Sequence, residues 1–176
     1  LFSPVILFLL YKPKKGKPGF GSRWKEHLGF VPSPCDQNPI WIHAVSVGET
    51  LAITPFIKAL KQQHPDVPII LTTTTRTGAD QAQKLGNLIE HRYAPLDFPD
   101  ALSRFFARIN PRMLIIMETE LWPNMLNQCH SRDIPVVILN ARLSERSCQR
   151  YQRIRTFFQS MTKAVRLFLC QHKDDA

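Results

Sequence analysis

The feature of this sequence that most constrains the fold is a regular alternation of short apolar segments with segments of helical periodicity. The apolar segments, rich in β-branched residues, are 40–45, 68–73, 113–117, 135–139 and 165–170, with a weaker one at 91–94. The helical segments are 50–64, 78–85, 99–109, 123–132 and 143–162. Strands that alternate with helices form βαβ units, in which the strands run parallel and helices cover both faces of the sheet. We therefore predict an α/β fold built on one parallel sheet.

The chain before this alternation predicts two further segments. Residues 1–11 are apolar, which is shorter than the ~20 residues that span a bilayer. The lysines that follow are Lys12, Lys14, Lys15 and Lys17. This pattern fits a membrane-anchor remnant, an interfacial anchor that faces anionic lipid, or a terminal segment docked on the domain. Residues 12–39 are rich in proline and glycine and predict a basic linker with a helical turn at 23–28. The α/β domain then covers 40–176.

The charge balance favours acidic partners. The formal net charge is +9, and nucleic acid, anionic lipid and phosphorylated substrates all fit such a balance. The sequence lacks the interleaved basic and aromatic motif of RNA-binding sheets, so we expect no nucleic-acid partner. Four cysteines form no C-x-x-C pair, which favours free thiols and predicts no metal site. Dinucleotide-binding, Walker, zinc-protease and serine-hydrolase motifs are likewise missing from the sequence.

Four polar segments each follow a predicted strand, and we expect them to form one site. They are residues 46–49, 72–78, 118–124 and 140–145. The carboxyl ends of parallel strands lie at one edge of the sheet, where ligands of open α/β sheets bind. The convergence of four polar segments at one edge is stronger evidence for a functional site than any one motif among them.

Glu49 is the first candidate for a catalytic group, and two interpretations of it stay open. Ser46 and Glu49 form the Ser-x-x-Glu pattern of a helix capping box, while Gly48 between them permits close approach by a ligand. A helix N-terminus favours the carboxylate anion. We therefore expect Glu49 to be ionised at neutral pH with its basicity held down, which opposes a general-base role.

The remaining polar segments offer groups for an anionic ligand. Arg76 and Thr77, at a predicted helix start, suit an anion, although a helix cap from Thr77 to Asp80 is the alternative. Glu118 and Glu120 follow an apolar strand, where carboxylates are costly unless they meet a partner or a ligand. A solvated loop is the alternative interpretation there. After the fifth strand, Arg142 is a candidate phosphate contact.

Taken in order, these segments resemble the N-terminal half of the 3-deoxy-D-manno-octulosonic acid (Kdo) transferases of lipopolysaccharide core biosynthesis. The matching residues are Arg23-Trp24-Lys25-Glu26 with Gly29-Phe30, and segments 43–50, 72–75 with 77–78, 117–124 and 140–144. The octet Met-Glu-Thr-Glu-Leu-Trp-Pro-Asn is the most specific of them. Arg76 stands where the family commonly has proline. The resemblance implies a Rossmann-like parallel sheet with helices on both faces, as the N-terminal half of a GT-B glycosyltransferase whose C-terminal donor domain is absent here.

The resemblance also implies a chemistry. The family transfers Kdo from CMP-Kdo to a lipid A precursor at the cytoplasmic face of the cell inner membrane, and it needs no metal or other cofactor. By this resemblance Glu49 is the general base that deprotonates the acceptor hydroxyl, and Glu118 stabilises the transition state. The residues that we expect to bind the acceptor are Ser46, Gly48, Arg76, Thr77, Glu120, Asn124 and Arg142.

The sequence therefore predicts the acceptor-binding part of an inverting Kdo transferase. Its expected partners are a lipid A precursor, CMP-Kdo, bound mainly by the missing domain, and an anionic membrane surface. The isolated chain is expected to be inactive. The alternative is a non-catalytic anionic-lipid binding module or an inactive truncated product.

Overall fold

A six-stranded parallel sheet forms the centre of this computed structural model, which describes residues 21–118, 120–141, 159 and 161–170. The strands are β1 (Ile40–His43), β2 (Ile69–Thr73), β3 (Glu90–Tyr93), β4 (Met113–Met117), β5 (Val136–Ala141) and β6 (Val165–Cys170). Their spatial order is β3-β2-β1-β4-β5-β6, and every neighbouring pair is parallel. All six predicted strands and the Rossmann-like fold class are confirmed. The order reverses between β1 and β4, which is the topological switch point where open α/β sheets bind ligands.

Helices connect the strands where the periodicity predicted them. In the described part of the chain the α-helices are α1 (Val47–Gln63), α2 (Arg76–Gln83), α3 (Pro99–Ile109) and α4 (Pro123–Ser131). Short 3₁₀ helices cover Gly21–Leu28, Gly86–Leu88 and Thr162–Ala164. Within those same described residues, no helix combines the length and apolar character needed to cross a bilayer. The apolar residues 1–11 and most of the helix predicted at 143–162 lie outside the described residues.

The two faces of the sheet bury separate apolar cores. On one face Trp41 packs against Phe105 and Phe106 of α3, with ring centroids 4.7 and 5.3 Å apart. Ile42, the next residue of β1, belongs to the opposite core together with Ile53 of α1. Burial of each such side chain contributes about 1.5–3 kcal/mol relative to exposure. The central strands β1, β2 and β4 are therefore buried on both sides, which explains why they read as continuous hydrophobic runs.

The 3₁₀ helix at the start of the described chain packs on the edge strand β3. Buried Glu26 accepts hydrogen bonds from Nε and Nη2 of Arg23, at 2.6 and 2.9 Å, and from the backbone N–H of Tyr93 at 2.7 Å. The guanidinium of Arg23 lies 4.7 Å from the centroid of the Tyr93 ring. Gly29 ends this turn with a φ of +83°, and a Cβ there would collide with the Ala101 carbonyl, so the position requires glycine.

Candidate active site

The candidate site lies at the carboxyl ends of β1 and β4, on the two sides of the switch point. Glu49 follows β1 in the first turn of α1, and Glu118 follows β4 directly. The two strands pair in register, with His43 opposite Ile116. Glu118 and Glu120 are close enough to act electrostatically on Glu49. Two of the four predicted polar segments thus come together at this point.

The carboxylate of Glu49 is held by two hydrogen bonds within its own turn. Only 6% of the residue is exposed. Its Oε2 accepts from the Val45 backbone N–H at 2.8 Å, and its Oε1 accepts from the Ser46 hydroxyl at 2.7 Å. The backbone N–H of Glu49 in turn donates to Ser46 Oγ at 3.3 Å, so the capping interpretation is confirmed. A carboxylate has about four acceptor positions, so the cap leaves capacity to accept a proton.

The pKa of Glu49 is raised above its ordinary value, which corrects the expectation from sequence. Burial is the largest cause, and the negative charges of Glu118 and Glu120 raise the pKa further. The hydrogen bonds from Ser46 and Val45 act in the opposite direction and only partly offset the increase. The hydrogen bonds of the capped turn do hold down the basicity of Glu49, as expected, but burial and the neighbouring charges outweigh them, so the expected net effect is wrong. A raised pKa makes the carboxylate a stronger base near neutral pH.

Glu118 occupies an unfavourable backbone conformation at the end of β4. Its φ is +59°, in the left-handed region that few non-glycine residues adopt. The backbone N–H of Glu118 donates to the Leu139 carbonyl of β5 at 2.8 Å, and this bond holds the conformation. Asn140, just beyond Leu139, also has a positive φ, of +58°. Such conformations cost about 1–3 kcal/mol each and cluster at functional sites.

A chain of side-chain contacts runs from the sheet interior to Glu120. The Trp122 indole N–H donates to Glu120 Oε2 at 3.0 Å, and the indole packs edge-to-face against His43, with ring centroids 4.8 Å apart. His43 is fully buried, and burial lowers its pKa to about 4, so the imidazole is neutral. Its Nδ1 lies 3.0 Å from Thr72 Oγ1, which also accepts from Trp41 Nε1 at 2.8 Å.

Asp97, in the loop before α3, holds the start of α4. Its Oδ2 and Oδ1 accept from the backbone N–H groups of Asn124 and Met125, at 3.1 and 2.8 Å. The Asn124 side-chain amide donates to the Asp97 backbone carbonyl at 2.7 Å. The structure thus engages Asn124, predicted to bind the acceptor, in anchoring the loop that carries Glu118 and Glu120.

The loop after β2 is tied to the loop after β1. The hydroxyl and the backbone N–H of Thr74 both donate to the Val45 carbonyl, at 3.0 and 3.3 Å. The cap of α2 is Thr75, whose Oγ1 accepts from the Gly78 N–H at 3.1 Å. The alternative cap from Thr77 is therefore wrong. Thr77 instead donates from its hydroxyl to Thr75 Oγ1 at 3.4 Å and is exposed in the first turn of α2.

Gly48 and Arg76, two further predicted site residues, lie in the first turns of α1 and α2. Gly48 is exposed, and a Cβ there would find only Ser46 Oγ, at 3.8 Å, so the space above it is open. Arg76 begins α2 and acts electrostatically on Tyr93 at the end of β3. Arg142 lies outside the described residues.

No cluster of three or more metal-ligating side chains is present among the described residues. Cys35 and Cys129 are free thiols there, and burial raises the pKa of the Cys129 thiol to about 12. Cys148 lies outside the described residues.

Sequence reasoning missed the contact between His43 and Thr72, and it missed Asp97. His43 and Thr72 are cross-strand partners in the register of β1 and β2, which no local pattern gives. The alternation of Trp41 and His43 along one short strand was the available signal. Asp97 precedes Pro99 at a helix start, and nothing in that segment indicates that it caps a different helix.

Comparison with known proteins identifies relatives over nearly the whole chain. The family described as "3-Deoxy-D-manno-octulosonic-acid transferase (kdotransferase)" matches residues 22–176. The 3-deoxy-D-manno-octulosonic acid transferase of Haemophilus influenzae is 40% identical over 171 residues, which cover 96% of this chain and 40% of that protein. A probable mitochondrial 3-deoxy-D-manno-octulosonic acid transferase of Arabidopsis thaliana is 38% identical over 155 residues, covering 85% of this chain and 34% of that protein. The chain thus spans at most about two fifths of the length of these two relatives.

Two solved structures share the fold at low sequence identity. A UDP-N-acetylglucosamine 2-epimerase superposes with a TM-score of 0.53 and 14% identity, over 80% of this chain and 44% of that one. A putative UDP-N-acetylglucosamine 2-epimerase from Listeria monocytogenes gives 0.54 and 12%, over 80% of this chain and 41% of that one. These similarities establish the fold alone.

Proposed function

Because the chain belongs to the 3-deoxy-D-manno-octulosonic acid transferase family, as its motifs predicted, we propose that it is the acceptor-binding N-terminal part of an inverting glycosyltransferase. The proposed reaction moves Kdo from CMP-Kdo to a lipid A precursor. The observation that carries the proposal is the setting of Glu49. It is a buried carboxylate with a raised pKa, beside two further carboxylates at the switch point of the sheet.

In this mechanism Glu49 acts as the general base. A hydroxyl of the acceptor gives its proton to the Glu49 carboxylate while its oxygen attacks the anomeric carbon of Kdo, and the bond from that carbon to CMP breaks on the opposite face. Val45 and Ser46 fix the carboxylate, so little reorganisation is needed when the acceptor binds. General-base catalysis of this kind contributes about 10²–10⁴-fold to the rate.

Glu118 is proposed to stabilise the transition state. Glycosyl transfer develops positive charge on the sugar ring, and a fixed carboxylate close to the base would offset that charge. The bond from Glu118 N–H to Leu139 holds the left-handed backbone from which this carboxylate extends. A group that is already oriented stabilises charge without a reorganisation cost during the reaction.

The proposed acceptor surface surrounds Glu49 on the α1 side and the α2 side. Ser46 and Glu120 adjoin the base, and Gly48 leaves open space where the acceptor would approach. Arg76 and Thr77, exposed at the start of α2, would contact acceptor phosphate or sugar. Asn124 and Arg142 complete the proposed set. CMP-Kdo would be held mainly by the part of the relatives that these residues do not span, without a further cofactor.

We propose that the chain works at an anionic membrane surface, the cytoplasmic face of the cell inner membrane. The net charge of +9 supports this, since positive charge attracts anionic lipid. Large apolar side chains are also exposed, namely Phe30 at 58% and Leu51 at 52%. The guanidinium of Arg104 lies 4.8 Å from the centroid of the Phe30 ring, which places charge and apolar surface together.

The test is Kdo transfer from CMP-Kdo to a lipid A precursor by the protein made from the complete open reading frame. Glu49→Gln is expected to lower transfer by about 10²–10⁴-fold while circular dichroism and the urea midpoint show a folded protein. Asp66→Asn is the matched control, because Asp66 is an exposed carboxylate in the turn before β2, at the other end of the strands. Full transfer by folded Glu49→Gln would refute the base assignment.

A second outcome would favour the non-catalytic alternative. If the complete protein transfers nothing but binds vesicles of anionic lipid, equally with and without Glu49→Gln, the chain is a lipid-binding module. Residues 1–176 alone are expected to be inactive, because the proposed CMP-Kdo site lies mainly beyond them. Turnover by these residues alone would contradict that expectation.

A further inference from the structure

Trp122 connects Glu120 to His43 in the sheet interior. The Trp122 indole has one polar hydrogen, and the structure directs it to Glu120 Oε2 at 3.0 Å. Trp122 also occupies the N-cap position of α4 without making a side-chain cap hydrogen bond. Its side chain therefore does no capping, and its one N–H donor is committed to the carboxylate.

The side chain that packs behind Trp122 is the polar His43, although packing alone would allow an apolar side chain there. The indole rests against His43 with an interplanar angle of 70°, and His43 is wholly buried. His43 Nε2 is buried without a hydrogen-bond partner in the described part of the chain, which lowers stability. A phenylalanine would fill similar space without that cost. What the imidazole adds is Nδ1, which lies 3.0 Å from Thr72 Oγ1 and fixes the plane of the ring.

We propose that Trp122 is a positioning residue that holds the Glu120 carboxylate beside Glu49, and that His43 fixes the orientation in which Trp122 does so. This inference rests on the proposed function, because the property that Glu120 controls is the base strength of Glu49. Trp122 and His43 would both act through Glu120, without contacting the acceptor hydroxyl or the reacting carbon.

The electrostatics give the arrangement a measurable consequence. Among the described residues, the charged groups that act on Glu49 are Glu118 and Glu120, and both raise its pKa, while the hydrogen bonds from Ser46 and Val45 lower it. Without the indole N–H, Glu120 would turn toward water, where its charge is screened. The pKa of Glu49 would then fall, and the carboxylate would become a weaker base.

The experiment is the pH dependence of kcat/KM for Kdo transfer by the complete protein and its variants. Trp122→Phe keeps an aromatic ring but has no N–H to donate. We expect it to move the acid limb of the profile to lower pH, because one of the two negative charges that raise the pKa of Glu49 is displaced, and to lower kcat more than it changes KM. Glu120→Gln should shift the limb in the same direction, and the double variant should shift it no further.

Two more variants separate positioning from folding. His43→Phe keeps the core filled and loses the contact with Thr72, so it should shift the acid limb in the same direction. It also serves as the test if Trp122→Phe does not fold. Trp24→Phe, at a 42%-exposed tryptophan outside the site, should leave the profile unchanged.

Each result decides between the two proposals. If the wild type transfers Kdo but the acid limb stays in place in folded Trp122→Phe, the positioning role is refuted and the proposed function stands. An unmoved limb in His43→Phe alone refutes the role of His43. If the wild type transfers no Kdo at all, the proposed function fails and this inference fails with it.

Discussion

Asp97 stabilises α4 from a distant loop, and its replacement should cause a measurable loss of stability. The N-cap residue of α4, Trp122, makes no side-chain cap hydrogen bond. Two N–H groups of the first turn, on Asn124 and Met125, bond to the Asp97 carboxylate at 3.1 and 2.8 Å. Asp97 therefore performs the capping function from outside the helix.

We expect Asp97→Ala to lower the free energy of unfolding by about 2 kcal/mol. Loss of a helix cap costs about 0.5–2 kcal/mol, and loss of a negative charge at a helix N-terminus costs about 0.3–1 kcal/mol more. Asp97→Asn keeps one carbonyl acceptor and loses the charge, so about half of the effect is expected. For a domain of this size, 2 kcal/mol corresponds to a fall in Tm of about 4–8 °C.

The assay is urea unfolding of the complete protein, followed by tryptophan fluorescence and circular dichroism. Asp66→Asn, at an exposed carboxylate far from α4, should change the free energy of unfolding by less than about 0.5 kcal/mol. If Asp97→Ala also changes it by less than about 0.5 kcal/mol, the carboxylate does not cap α4, and the reasoning from these hydrogen bonds is wrong.

Two further predictions concern the glycines of the site and the buried histidine. Gly48→Ala should leave the free energy of unfolding unchanged or raise it by up to about 1 kcal/mol, because glycine is unfavourable inside a helix and the space at Gly48 is open. Gly78→Ala should lower the free energy of unfolding, because a Cβ there would lie 3.0 Å from Thr75 Oγ1. Equal thermal shifts for the two variants would contradict this. Burial lowers the pKa of His43 to about 4, so the unfolded protein binds a proton at this histidine more readily than the folded protein does. The free energy of unfolding therefore falls as the pH drops below the ordinary histidine pKa. The raised pKa of Glu49 has the opposite effect on the free energy of unfolding. His43→Phe should therefore lose less stability than the wild type when urea midpoints are compared from neutral pH down to about pH 5, and parallel pH curves would count against this account.

Local sequence patterns predicted the elements that local chemistry determines. Continuous apolar runs located β1, β2 and β4 because both faces of these central strands are buried, whereas β3, which reads Glu-His-Arg-Tyr at the sheet edge, gave a weaker signal. Pro99 and Pro123 marked the starts of α3 and α4, since proline suits the first helical turn. Ser46 was recognised as a cap, although α1 begins three residues before the predicted position.

Tertiary structure determines what the sequence did not predict. The pKa of Glu49 depends on burial and on Glu118, which is distant along the chain and close in space. The contact of His43 with Thr72 depends on the register of β1 against β2. The cap that Asp97 provides depends on where the loop before α3 meets α4. Each of these follows from the packing of separate segments, which a local window of sequence does not contain.

The pairing of β1 with β4 also has a consequence for the order of folding. These neighbours are separated along the chain by α1, β2, α2, β3 and α3, so their pairing must close a long loop. Contacts between distant segments carry a large entropy cost and form slowly. The β1–α1–β2 unit, whose contacts are more local, can assemble earlier and already contains Glu49 in its capped turn. Glu118 reaches it only once β4 is in place, so during refolding the helix and its cap should form before the pair of carboxylates does.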